Sequence, residues 1–77
     1  MQTVIAHEDF IANVFTSTNS AKLCACFNAN SVQHALDIFE DTRSEAQVNK
    51  FLDMLHSNNI TAQHYGWSDD MEGYYVR

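Results

Sequence analysis

The apolar positions of this chain fall into short runs whose spacing changes from one run to the next. Phe10, Ile11, Val14 and Phe15 recur at helical spacing, and Glu8 and Asp9 stand where a helix N-terminus favours negative charge. The flanks, Thr3 to Ile5 and Val14 to Thr18, are β-branched and suit strands. In that reading Thr18-Asn19-Ser20 is the turn of a hairpin. Both readings stay open over residues 3–18, and the hairpin is the preferred one. Lys22 to Asn28 alternates Leu23, Ala25 and Phe27 with Cys24 and Cys26, which predicts a central strand covered on both faces.

The second half has stronger punctuation. Asn30 or Ser31 can cap a helix whose apolar residues, Val32, Ala35, Leu36 and Phe39, follow helical spacing. Thr42-Arg43-Ser44-Glu45 has the spacing of a capping box. Val48, Phe51, Leu52 and Leu55 then form one stripe, so a helix is expected from Arg43 to Ser57, with Phe51 and Leu52 buried. Asn58-Asn59 tolerates the left-handed conformation that ends helices, and Ile60 supplies the hydrophobic contact that often follows. Ile60 to Trp67 reads as a strand, residues 68–73 as a loop ending in glycine, and Tyr74 to Arg77 as a short last strand, together a hairpin. These elements predict an α+β fold: an antiparallel sheet of three or four strands with one or two helices packed on one face.

Length changes the picture by limiting the core. Seventy-seven residues make a single domain, 1–77. Such a chain buries only about 60% of its unfolded surface, and a core of this size yields roughly 3–5 kcal/mol. A homodimer interface would be a natural supplement. The first eight residues have no basic region and no long apolar stretch, so a secretory signal is not expected. No window approaches the roughly 20 apolar residues of a membrane span. Two cysteines one residue apart make a strained disulfide, and free thiols suit a reducing compartment, so a cytoplasmic protein is expected.

Charge is the main functional cue. There are ten acidic residues against four basic ones, and eight of the acidic ones lie from residue 37 onward. Asp37, Glu40 and Asp41 form one group, and Asp69, Asp70 and Glu72 another. Four of the nine aromatic residues, Tyr65, Trp67, Tyr74 and Tyr75, lie in the last thirteen positions. Tyr74 and Tyr75 point to opposite faces of a strand, so both cannot be core. The outer one, read as Tyr75, would join Trp67 as an interface anchor, since Tyr and Trp are enriched at interfaces. The bland alternatives are a solvated face that keeps a small domain soluble and cross-strand packing within the hairpin.

Direct nucleic-acid binding needs clustered Lys and Arg, which this chain lacks. The expectation is therefore a non-enzymatic acidic protein that inhibits or modulates a larger protein partner with a basic surface. A nucleic-acid-handling complex with a basic groove is the most natural such partner, as for a DNA mimic or an anti-defence inhibitor of phage type; that step is analogy. Its contact residues would be Asp37, Glu40, Asp41, Trp67, Asp69, Asp70, Glu72 and Tyr75. No cofactor is implied. The alternative is a metal or thiol redox module on Cys24 and Cys26, with His34 and His64 as further ligands, although a one-residue gap departs from structural zinc spacing.

Overall fold

The computed structural model describes residues 4–42 and 44–77. Four helices and three strands follow in the order β1 (Val4–Ile5), α1 (His7–Val14), α2 (Ser20–Phe27), α3 (Val32–Glu40), α4 (Glu45–Ser57), β2 (Tyr65–Ser68) and β3 (Gly73–Val76). The α+β class holds, with one sheet of three antiparallel strands. Its helices number four, against the one or two expected, because two stretches read as strands are helical.

The first is the hairpin preferred for residues 3–18. Only Val4–Ile5 is strand there; α1 follows, and a 3-10 turn at Ser17–Asn19 leads into α2. Phe10 and Val14, four apart, are both buried, while Ala12 between them is exposed. A strand would have placed all three on one face. Asn19 closes the turn, its Nδ2 donating to the Val14 carbonyl at 2.9 Å.

The second correction is the strand over Lys22 to Asn28. Leu23 and Phe27 are buried and Ala25, predicted to share their face, is exposed. Alternation and helical spacing both fit Leu23 and Phe27 in so short a run. Propensity decides it: residues 19–31 contain no β-branched side chain and include three alanines. Asn28 ends α2 in the left-handed conformation, φ 52°.

Helix α3 forms as expected, and Ser31 is its cap, accepting from the His34 amide at 3.1 Å. Helix α4 is capped two residues later than expected. Ser44 accepts from the Gln47 amide at 3.2 Å, whereas the Thr42 hydroxyl donates back to the Phe39 carbonyl at 2.8 Å and closes α3. The expected first residue, Arg43, lies outside the described residues. The far end of α4 follows the expectation closely. Asn59 is left-handed at φ 60°, its amide bonds the His56 carbonyl, and the Ile60 amide bonds the Leu55 carbonyl, both at 3.0 Å.

Residues 60–64 do not join the strand predicted for Ile60 to Trp67. Ile60 and Thr61 are both buried and Ala62 and Gln63 both exposed, a pattern no strand with one buried face can have. From Tyr65 the hairpin forms as predicted. Strand β3 is central, between β1 and β2. Register sorts the sheet into two rows: Ile5, Tyr74 and Trp67 side by side on one face, and Val4, Tyr75 and Gly66 on the other.

The first row faces the core. All five phenylalanines belong to one aromatic cluster, and Phe39 meets each of the other four, with centroids 5.2–6.4 Å apart. Tyr74 stacks on Phe10 at 4.0 Å and joins this cluster to the sheet. Phe51, expected to be buried, is half-buried and packs on Phe27 and Phe39; Leu52 and Leu55 are fully buried.

Helix α4 lies along the outer edge of β2, and one side chain makes the seam. Asn49 Oδ1 accepts from the Trp67 amide at 2.9 Å, and Asn49 Nδ2 donates to the Trp67 carbonyl at 3.1 Å. Its carboxamide thus bonds the strand edge as a neighbouring strand would, where an unpaired edge invites association with another chain.

Candidate binding cleft

His7 opens α1 with its ring packed between Phe39 and Tyr74, near parallel to both. Its two nitrogens reach different parts of the chain: Nδ1 lies 2.7 Å from the Tyr74 hydroxyl and Nε2 3.0 Å from Glu40 Oε2. In a neutral ring the Tyr74 hydroxyl donates to Nδ1, and Nε2–H donates to the carboxylate. The chain Tyr74–His7–Glu40 fixes the Glu40 side chain at the end of α3. Burial, and secondarily the Glu40 carboxylate, push the Tyr74 phenol well above its ordinary value, so it remains a donor.

Facing this chain is Trp67, the only tryptophan. Its indole stands nearly perpendicular to His7, at 83°, and meets Tyr74 edge-on at 4.9 Å. Its Nε1 donates to Asp69 Oδ1 at 2.9 Å, and the Asp69 amide donates to Glu45 Oε2 at 2.8 Å. Glu45 sits in the first turn of α4, where the helix dipole favours a carboxylate, and so ties the β2–β3 turn to that helix. Between the two chains is a cleft of about 270 Å³, bounded also by Thr42, Ser44 and Val48. Two carboxylates, Glu40 and Asp69, border it from elements far apart in sequence, and the aromatic groups form its walls.

Of the residues expected to form the interface, Glu40, Asp69 and Trp67 therefore meet. Asp41, the residue after α3, is exposed beside them, and Asp70 and Glu72 are exposed in the turn that carries Asp69. Asp37 lies one turn back on α3, accepts from Gln33 Nε2 at 2.9 Å, and borders a shallow depression with Glu40 and Asp41. Tyr75 is placed elsewhere. As expected only one of the adjacent tyrosines is core, but the outer one lies on the opposite sheet face from Trp67. Its ring covers Gly66: a Cβ there would stand 2.6 Å from Tyr75 Cζ, so the strand needs glycine beneath the ring. Tyr75 and Trp67 cannot anchor one partner surface together.

His7, Glu45 and Thr42 were not anticipated. Glu45 carried a signal, as an acid in a first turn; His7 carried none, because its partners lie 33 and 67 residues away.

The cysteine alternative finds little support in the placement of its residues. Cys24 and Cys26 are half-buried on α2, where a two-residue step turns side chains by about 200°. Burial pushes the Cys26 thiol up, away from the thiolate that binds metals or attacks. His34 Nδ1 accepts from the Asn30 amide, and His64 Nε2 pairs with Asp53 at 2.5 Å. Among the described residues no group of three or more His, Cys, Asp or Glu side chains could hold a metal ion. None of the helices described is long and apolar enough to cross a membrane.

A second polar cluster lies toward the other end of α4. Asp53 Oδ1 accepts from His64 and, at 2.7 Å, from Arg77 Nη1, while His56 stacks flat on His64 at 4.7 Å. The His64 hydrogen bond, with Arg77 adding to it, holds the Asp53 carboxyl below the usual carboxylate range.

Comparison with protein-family models, with curated proteins and with solved structures returned no match for this chain.

Proposed function

We propose that this is a small acidic binding protein that docks on a basic surface of a larger protein partner and inhibits or modulates it. The observation that carries this reading is convergence. Acidic groups from three separate stretches converge: Glu40 at the end of α3 and Asp69 in the hairpin turn border one aromatic cleft, Glu45 at the start of α4 accepts from the Asp69 amide, and Asp41, Asp70 and Glu72 are exposed close to these in sequence. Like charges repel, so gathering them costs stability that a purely solubilising arrangement would avoid by spreading them. Two of the cations lie elsewhere. Lys22 Nζ reaches the Asn59 carbonyl beyond the far end of α4, and Arg77 is bound to Asp53. The 13 residues of α4 separate that end from Glu45 by about 20 Å at ~1.5 Å per residue.

An acidic end of this kind speeds association with a surface of opposite sign and disfavours surfaces of like sign. A partner groove built to hold nucleic acid would present that opposite sign, which makes a nucleic-acid-handling complex the natural setting. No direct contact with nucleic acid is proposed.

The test compares two double variants of equal net charge. Asp70→Asn with Glu72→Gln removes charge from the acidic end; Ser57→Lys with Gln63→Lys adds the same amount at exposed positions outside that end. A fluorescein-labelled peptide rich in Lys and Arg serves as the basic probe, with anisotropy read across a salt series. The first pair should weaken binding roughly two- to thirtyfold, from ~0.2–1 kcal/mol for each exposed ion pair, and flatten the salt dependence. The second pair should change it far less. Equal weakening by both pairs would show that only overall charge matters.

A further inference from the structure

We infer that the cleft is a receptacle for a single arginine side chain of the partner. This rests on the docking reading above and names the group that the acidic end takes up. The cleft, about 270 Å³, lies just below the roughly 300–1,000 Å³ that whole small-molecule ligands occupy, a size suited to one side chain. Its chemistry selects a cation. Glu40 and Asp69 border it from two sides, and among the described residues no Lys or Arg lines it. Both carboxylates are held in place, Glu40 by His7 and Asp69 by the Trp67 indole, at 3.0 and 2.9 Å. One oxygen of each accepts in these bonds, and a carboxylate offers about four acceptor positions, so both can accept more.

The geometry favours guanidinium over ammonium. Arginine presents a planar fork of five N–H donors, which can address two carboxylates on separate elements at once, and its plane stacks on an aromatic face. Trp67, half-buried at the cleft wall, supplies such a ring. An ammonium is a compact, strongly hydrated charge that must shed more water to enter.

Trp67 makes the test direct, because its indole resonances and fluorescence come from the cleft alone. The wild-type protein is titrated with N-acetyl-arginine methylamide, its lysine counterpart and its citrulline counterpart, the last being nearly isosteric with arginine but uncharged. Amide and indole N–H shifts are followed by heteronuclear NMR. The arginine compound should give a saturable shift of the Trp67 indole N–H. The lysine compound should bind at least about threefold more weakly, and the citrulline compound should give no saturable shift. Glu40→Gln and Asp69→Asn should each weaken the arginine compound up to about fivefold, the worth of an ion pair that stays partly in water.

Equal response to citrulline, shifts confined to Asp37, Asp70 and Glu72, or no saturable shift would each overturn the inference without calling on any variant. The two readings fail separately. If the basic peptide still binds with salt dependence while Glu40→Gln and Asp69→Asn leave it unchanged, the arginine receptacle falls and docking stands. If arginine fills the cleft but removing Asp70 and Glu72 charge has no positional effect on the peptide, docking through the acidic end falls and the receptacle stands.

Discussion

Tyr74 can be tested by removing one oxygen. Its ring is 1% exposed and stacked on Phe10, and its hydroxyl donates to His7. Tyr74→Phe keeps the ring and deletes the hydrogen bond. His7 is 41% exposed, so water can replace the lost partner, and the cost at neutral pH should be about 1 kcal/mol, within the usual 0.5–1.5. At high pH the comparison reverses. Burial first, and the Glu40 carboxylate second, raise the folded phenol pKa above its unfolded value of about 10. A group raised in the folded state contributes its full stability below the unfolded pKa. That contribution drains away as pH climbs toward the folded pKa, at up to about 1.4 kcal/mol per pH unit. The phenylalanine variant has no such group. Its stability should start about 1 kcal/mol lower and lack this slope, so the two curves should cross near pH 10.5–11. Urea denaturation followed by far-ultraviolet circular dichroism, at intervals from pH 7 to pH 11.5, measures both curves. Parallel curves with a constant gap would refute the argument and place the phenol in contact with solvent.

Two other perturbations address the seams of the fold. Asn49→Ala deletes both bonds to the Trp67 peptide and should cost about 1–3 kcal/mol through unsatisfied backbone groups. Light scattering should also show concentration-dependent association through the uncovered β2 edge, and a variant that stays monodisperse and as stable as wild type would show that water serves the edge equally well. Asp53→Asn tests the lowered carboxyl, whose stabilisation is present above the unfolded value near 3.9 and is lost as pH falls toward the folded one. The acid side of a Tm–pH profile should be flatter in the variant, and identical profiles would show that the His64 and Arg77 bonds contribute nothing in solution.

Where the sequence spoke clearly, it did so at element ends. Ser31 before an amphipathic run and the Asn58-Asn59-Ile60 close of α4 announce helix boundaries because capping chemistry is local. The 65–76 hairpin was legible from its aromatic strands and the glycine-ended loop between them. Residues 22–28 were misread because seven residues cannot separate a period of 2 from one of 3.6 when Leu23 and Phe27 satisfy both; the missing β-branched residues were the better guide. The acidic and aromatic members of the cleft were named from composition alone. Their meeting was not legible, since it depends on how α3, α4 and the hairpin pack. The opposition of Tyr74 and Tyr75 followed from strand geometry, but the sequence alone did not put Trp67 on the Tyr74 side. Asn49 left one faint trace, as a poor helix former inside a strong helix.

Of the three strands described, the one made after the other two is the one in the middle. During synthesis α1 to α4 are complete by residue 57, yet β1 and β2 have nothing to pair with until residues 73–76 exist. At about 5–20 residues per second that interval lasts ~1–4 s, while helices form in about a microsecond. Throughout it Phe10 lacks the Tyr74 ring that will cover it, and once residue 68 is made β2 has only its Asn49 edge occupied. Those surfaces are what a chaperone or a second nascent chain would meet. A pause after residue 68 and before residue 73 would prolong a stage at which the other β2 edge and Phe10 are uncovered.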